Sequence, residues 1–437
     1  MPIRVLYKLL KPNCPNDKFL GTATSRIAHL SAFNDEQVAI QHGSSAADPV
    51  VITISCLDRE GLICDVARTL FEFGLDVIRA DFSTDGPWCL LLFWVLSRTG
   101  STGSIKWTLL NERLNVQCPP PQSSLFGIAN LHVSSKKNYY LLQTCSAKRL
   151  GLLNELSCIL WELELEILKV NALTSPDGRA VIVILVSDSR RESQDNRQPA
   201  ICEGVKRFLG PSCSHCELIP ATMDVFAEAP DLEMLYGIPN KILENTADTV
   251  AGSDKGFSVE IDNSLSPNHM LLQITARDRR GLFYDCMRVL NDHNLKIAHG
   301  RVKTASKGIV AYDLLISQAS GNKLLDIDKQ RSLQARLQLD ICDPVRVTVV
   351  KKGPNTELFV ASTVEKSGRT RPRMMHDVTS VLQMLGVSIF KAESEKLCSR
   401  ERIWEMYRFL LVEAPSSPVE GDWMSYMRER VKIVLSG

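Results

Sequence analysis

Four stretches of this chain repeat one order of hydrophobic periods, and that order leaves few folds open. Residues 50–96, 139–186 and 269–316 each begin with a short β-rich run (51–55, 141–144 and 271–275) that ends in a polar turn. A stretch follows with apolar residues three and four apart: Leu62, Val66 and Leu70; Leu152, Leu156 and Leu160; Leu282, Cys286 and Leu290. A fourth, more divergent copy at 356–413 carries Met374, Val378 and Leu382. That spacing lays one apolar stripe along a helix. Gly74 and Gly386 stand where a helix C-cap takes positive φ. A second strand is expected at 75–82 and 295–302. A turn at Asp85-Gly86-Pro87 or Asp177-Gly178 then leads into a strongly apolar third strand at 89–96 or 181–186. Second helices are expected at 106–114, 200–209, 325–339 and 423–434, and closing strands at 216–219 and 345–350. The predicted fold is α+β: four tandem ferredoxin-like βαββαβ modules, each an antiparallel sheet with both helices on one face. The fourth copy reaches Gly437 soon after its second helix, so its closing strand is expected to be short or absent.

The spacing of the copies suggests how they group. The equivalent positions Leu62, Leu152, Leu282 and Met374 lie 90, 130 and 92 residues apart. The excess in the middle falls in 221–268, rich in Pro, Asp, Asn, Ser and Gly, which reads as a linker with short structure of its own at 231–236 or 257–261. The expected organisation is an unmatched, loosely ordered arm (1–48), module one (49–135), module two (138–220), the linker (221–267), module three (268–351) and module four (355–437), in two tandem pairs. Apolar residues of both parities in 90–96 call for cover on both sheet faces. Pairing within the chain, between copies of it, or with a protein partner is therefore expected.

Composition removes several functions. Fifty-one basic residues against fifty acidic ones leave a net charge of +1, too little for a field that would hold nucleic acid or an anionic membrane. No run approaches the roughly 18 apolar residues of a membrane span. Lys8, Lys11 and Asp17 interrupt the weakly apolar start, so no signal segment is expected. Thirteen scattered cysteines, several in apolar runs, fit free thiols in a reducing intracellular compartment, the cytoplasm, with the nucleus left open. Cys213 and Cys216 around His215 form a lone metal-like pair without a second pair to complete it. His376-Asp377 spells a phosphohydrolase dyad but falls inside a helix, where Asp377 takes the place of Asp65 and Asp285. No nucleophile elbow, phosphate loop or dinucleotide fingerprint is present, and neither catalysis nor a cofactor is expected.

Asp58-Arg59-Glu60-Gly61-Leu62 with Asp65, and Asp278-Arg279-Arg280-Gly281-Leu282 with Asp285, resemble the D-x-x-G-L-x-x-D turn and helix start of ACT domains. Over roughly 50–435 the chain resembles the plant ACT-domain repeat proteins, which lack an enzyme module, and it is similar to the sensing region of bacterial uridylyltransferase. The resemblance implies a regulatory protein that binds an amino acid or related metabolite at interfaces between paired modules, as a nitrogen or amino-acid sensor. The alternative is a scaffold of degenerate ACT folds with no ligand.

The candidate ligand-binding residues are Asp58, Gly61, Leu62, Asp278, Gly281 and Leu282. A glycine at the first turn of a helix lets a carboxylate approach N–H groups that lack partners. Asp58 and Asp278, three residues earlier, offer acceptors for an ammonium group; the competing reading makes them simple N-caps. Copy two has Lys148 in place of that aspartate but keeps Gly151. Copy four has Thr370 and Arg373 in place of aspartate and glycine, after a basic loop, 366–373, that reads as solvated.

Overall fold

The computed structural model describes residues 37–436 apart from 46–47, 86, 98–104, 119–137, 189–193, 222–255, 306–307, 354, 400–401 and 413–422. Most of the expected arm and the segment 231–236 lie outside the described residues.

Module one runs β1 (Val38–Gln41), β2 (Val50–Leu57), α1 (Leu62–Glu72), β3 (Leu75–Asp85), β4 (Trp88–Ser97) and α2 (Trp107–Gln117). Module two runs β5 (Asn138–Ala147), α3 (Leu152–Glu162), β6 (Leu165–Thr174), β7 (Arg179–Asp188), α4 (Gln194–Leu209) and β8 (Cys213–Ala221). Module three runs β9 (Ser258–Asp262), β10 (Met270–Arg277), α5 (Leu282–Asp292), β11 (Leu295–Ala305), β12 (Ile309–Gln318) and α6 (Ile327–Cys342). Module four runs β13 (Val345–Lys352), β14 (Asn355–Thr363), α7 (Met374–Met384), β15 (Ser388–Ser399), β16 (Arg402–Val412) and α8 (Trp423–Ser436). The predicted helical stripes are the buried ones: Leu62, Val66 and Leu70 of α1 lie in the core, as do Leu282, Cys286 and Leu290 of α5. The strand that follows the first helix carries a register shift at the same place in every module, between Val77 and Arg79 in module one and between Ile297 and His299 in module three. Such bulges tighten the local twist.

The modules do pair, but not as tandem neighbours. One eight-stranded antiparallel sheet has the order β1-β2-β4-β3-β11-β12-β10-β9, joining modules one and three; the other, β13-β14-β16-β15-β6-β7-β5-β8, joins modules four and two. The seam of the first is a short ladder, His299 opposite Ser83 through Lys303 opposite Arg79. Thr84 Oγ1 donates to the Ala298 carbonyl (3.1 Å) and Thr304 Oγ1 to the Ile78 carbonyl (2.9 Å), flanking it almost symmetrically. Pairing there turns two exposed edges into one continuous sheet. The 90-residue spacing records the length of a module. It carries no information about which edge finds which, so the tandem grouping is corrected.

The fourth strand of each module also needs correcting. Among the described residues only module two closes with a strand that follows its second helix, β8 against β5. In the others the strand precedes the first helix: β1 pairs with β2, β9 with β10 and β13 with β14. Part of the expected arm (38–41) and of the expected linker (258–262) is therefore sheet, and the strand 345–352 pairs with β14 rather than with a strand of module three. For β13 the reason is local. It faces β14 across a tight turn, with Lys352 opposite Asn355, and a hairpin neighbour is reached at little cost in loop entropy.

Helices of the two sheets meet where α1 and α2 approach α3. Phe73 packs edge-on against Trp161 (5.2 Å between centroids), and Arg113 Nη2 donates to the Trp161 carbonyl (2.9 Å).

Candidate functional site

Each first helix begins in the same way. Gly61, Gly151, Gly281 and Arg373 occupy its N-cap with φ of 75°, 81°, 73° and 63°, the left-handed region, and none of the four helices has a side-chain cap. Asp58 and Asp278 are thus not N-caps. A glycine takes this backbone freely, whereas Arg373 pays roughly 1–2 kcal/mol for it.

Each of the three glycine turns looks across the seam at the tenth residue of the paired module's first helix. Asn291 faces Gly61, Phe71 faces Gly281, and Gln383 faces Gly151. The tenth residue of α3, the remaining member of the set, is Trp161. The size of this residue tracks the space left. A Cβ built on Gly61 would lie 3.1 Å from Asn291 Oδ1. Built on Gly151 it would lie 2.5 Å from Gln383 Nε2, and on Gly281 it would lie 2.7 Å from Arg371 Nη2 and 2.9 Å from Phe71 Cζ. The cavity at Gly61 measures ≈ 200 Å³, that at Gly151 ≈ 40 Å³ and that at Gly281 ≈ 20 Å³.

Asp58, Gly61 and Leu62 therefore line a cleft with room for a small molecule. Asp278, Gly281 and Leu282 line its counterpart, which Phe71 and Arg371 fill. Leu62 is buried beneath the cleft. The far wall comes from module three: Met287, Leu290, Leu295 and Ile297 are its apolar part, Asn291 and Lys296 its polar part. Desolvation pushes the Asp58 carboxyl above its ordinary value, and the Lys296 ammonium opposes that shift. Asn291 and Lys296 were missed in the sequence. The signal was there in part, because aligning the four helices puts Asn291 where the others carry Phe71, Trp161 and Gln383.

The basic loop before α7 is exposed at Lys366 and Ser367 but becomes buried at Thr370 and Arg371. Its alternate arginines each reach the aspartate one turn into a first helix. Arg369 Nη2 lies 2.6 Å from Asp65 of module one, Arg371 Nη1 bonds Asp285 of module three, and Arg373 Nε lies 3.4 Å from Asp377 of its own helix. A second arginine meets each carboxylate: Arg59 (2.6 Å), Arg279 (2.6 Å) and Arg280 (2.7 Å) respectively. Glu365, at the head of the loop, accepts from Arg68 Nη1 (2.9 Å) and Tyr284 Oη (2.7 Å), and Arg68 also reaches Glu166 (3.1 Å). All four modules meet at this point. His376 Nδ1 lies 3.0 Å from Asp377 Oδ1, inside the same ion-pair network. Among the described residues no group of three or more His, Cys, Asp and Glu is placed to hold a metal, and no helix is long and apolar enough to cross a membrane.

The fold defines a protein made of tandem ferredoxin-like modules paired edge to edge, with no other kind of domain among the described residues. Residues 40–119 match the family model described as the N-terminal region of ACT domain-containing protein ACR10. Residues 258–355 match the ACR9-like, ACT-like domain, and residues 356–437 the C-terminal region of ACT domain-containing protein ACR9. The chain is 37% identical over 401 residues to ACT domain-containing protein ACR9 of Arabidopsis thaliana, spanning 89% of this chain and 95% of the relative. To ACR10 of the same plant it is 33% identical over 398 residues, spanning 89% and 96%. A segment of 87 residues is 32% identical to the bifunctional uridylyltransferase/uridylyl-removing enzyme of Azospirillum brasilense, covering 20% of this chain and 9% of that enzyme. The chain belongs to the plant ACT-domain repeat family. The three matching models describe ACT domains, and none describes a catalytic one.

Proposed function

We propose that this chain is a non-enzymatic, intracellular regulatory protein that binds one amino acid, or a zwitterionic metabolite like it, in the cleft between modules one and three. The observation that carries the reading is the ≈ 200 Å³ cleft at Gly61, set against the much smaller cavities at Gly151 and Gly281. The ligand carboxylate meets the N–H groups of the first turn of α1, where the helix dipole is favourable. Its ammonium group meets Asp58, and its side chain lies against Met287, Leu290 and Ile297. Micromolar to millimolar affinity, about 4–8 kcal/mol, suits a sensor of a free metabolite such as a nitrogen signal. The filled counterpart at Gly281 favours a scaffolding role for that position, within the same protein.

A thermal-shift screen of the twenty amino acids on wild-type protein and on Asn291→Phe tests this. The substitution gives the open cleft the ring that Phe71 supplies at Gly281. The expected result is a saturable rise in Tm with one chemical class of amino acid, absent from the folded variant. No rise in the wild type, or the same rise in both proteins, would refute ligand binding in this cleft.

A further inference from the structure

Arg371 sits among groups that suit a bound ligand better than a surface ion pair. It is 4% exposed, and Asp285, whose Oδ1 accepts from its Nη1, is 0% exposed. The guanidinium carbon lies 5.0 Å from the centroid of Phe71 and 5.9 Å from that of Tyr284, and those two rings stack on each other at 5.8 Å. Its Nη2 has no hydrogen-bond partner and projects onto the glycine turn, 2.7 Å from where a Cβ on Gly281 would be. A buried carboxylate, two aromatic rings and a residue without Cβ make a compartment shaped for a planar cation. Every one of those groups comes from modules one and three, while the cation comes from module four. Arg369, two residues earlier in the same loop, meets Asp65 with its side chain 23% exposed. Burial lowers the hold of the Arg371 guanidinium on its proton and Asp285 opposes that, so the occupant is enclosed but incompletely satisfied.

We propose that the module-three position is a guanidinium-binding site, that Arg371 is its tethered occupant, and that a free guanidinium compound takes the same place once the tether is gone. The tether joins the two halves of the chain, because residue 371 belongs to module four and its cage to modules one and three. A soluble competitor would therefore loosen the contact between them. Held on a short loop, Arg371 acts at a millimolar or higher effective concentration, so the intact chain resists competition. This inference stands on the cage alone and survives if no amino acid binds in the Gly61 cleft.

The test is thermal unfolding of the full chain carrying Arg371→Ala, with methylguanidinium chloride compared against methylammonium chloride at equal ionic strength. The variant is expected to melt below wild type and to recover saturably with methylguanidinium but not with methylammonium. The wild type should respond to neither, and Arg371→Ala with Asp285→Asn should lose the recovery. An equal response to the two salts, or recovery that survives the loss of Asp285, overturns the proposal. If the alanine variant aggregates, soluble yield on refolding in each salt gives the same comparison. A higher yield in methylguanidinium is expected, and equal yields overturn the site.

Discussion

Replacing Glu365 with glutamine is expected to destabilise the chain by about 3–5 kcal/mol at pH 7, the cost of leaving a buried arginine without its partner. Glu365 is 3% exposed and accepts from Arg68, Tyr284, Ser367 (2.7 Å) and Arg369 (2.7 Å). Arg68 keeps Glu72 and Glu166, each at 3.1 Å, which places the loss toward the lower end of that range. Burial alone would raise the Glu365 carboxyl, but Arg68, Arg369 and the two hydroxyls hold it at about 2. A depressed carboxylate stabilises the folded state above its unfolded value near 4.5, and that contribution fades as pH falls toward 2. Denaturant unfolding of Glu365→Gln and wild type should therefore show a wide gap at pH 7 that narrows toward pH 3. A gap under about 1 kcal/mol at pH 7 would mean that the four-module junction contributes no more than a surface pair.

The opposite sign is expected at Glu405. This carboxyl lies in β16 of module four, 1% exposed, and burial lifts it to about 8, with Tyr407, Lys396 and Thr370 opposing and Glu166 reinforcing. The folded state keeps the proton where the unfolded chain has already lost it. Stability therefore falls as pH rises from about 4.5 to about 8 and is level beyond. At about 1.4 kcal/mol per unit the ceiling on this loss is about 5 kcal/mol. Glutamine is neutral throughout, so Glu405→Gln should match wild type near pH 4.5, exceed it by several kcal/mol at pH 9, and show a flatter profile of Tm against pH. A variant less stable than wild type at pH 9 would show that the ionised form is paired after all.

The parts of this fold that were legible in the sequence are those set by local physics. The stripe Leu62, Val66 and Leu70 determines a helix within one turn of its ends, and Gly61 marks a positive φ because little else takes it freely. Which modules pair was not legible, because the ladder between β3 and β11 joins segments over 200 residues apart whose alternation fits either partner. A strand at 345–350 was visible, but the sheet it joins depends on its pairing with β14. The loop 366–373 read as solvated because the carboxylates that Arg369 and Arg371 reach on the first helices, Asp65 and Asp285, lie some 300 and 86 residues away. Half of the candidate site was legible for the same reason. The turn at Asp58 and Gly61 is local, whereas Asn291 and Lys296 belong to the cleft only through pairing across the seam.

The claim that Gly61 alone of the three glycine turns is open to a small molecule is tested most directly by titration calorimetry with whichever amino acid stabilises the protein. The geometry predicts about one ligand per chain, abolished by Asn291→Phe and by the backbone-incompatible Gly61→Val, but retained by Gln383→Asn at the Gly151 turn. Two or more ligands per chain, or one whose binding survives Asn291→Phe, would contradict it.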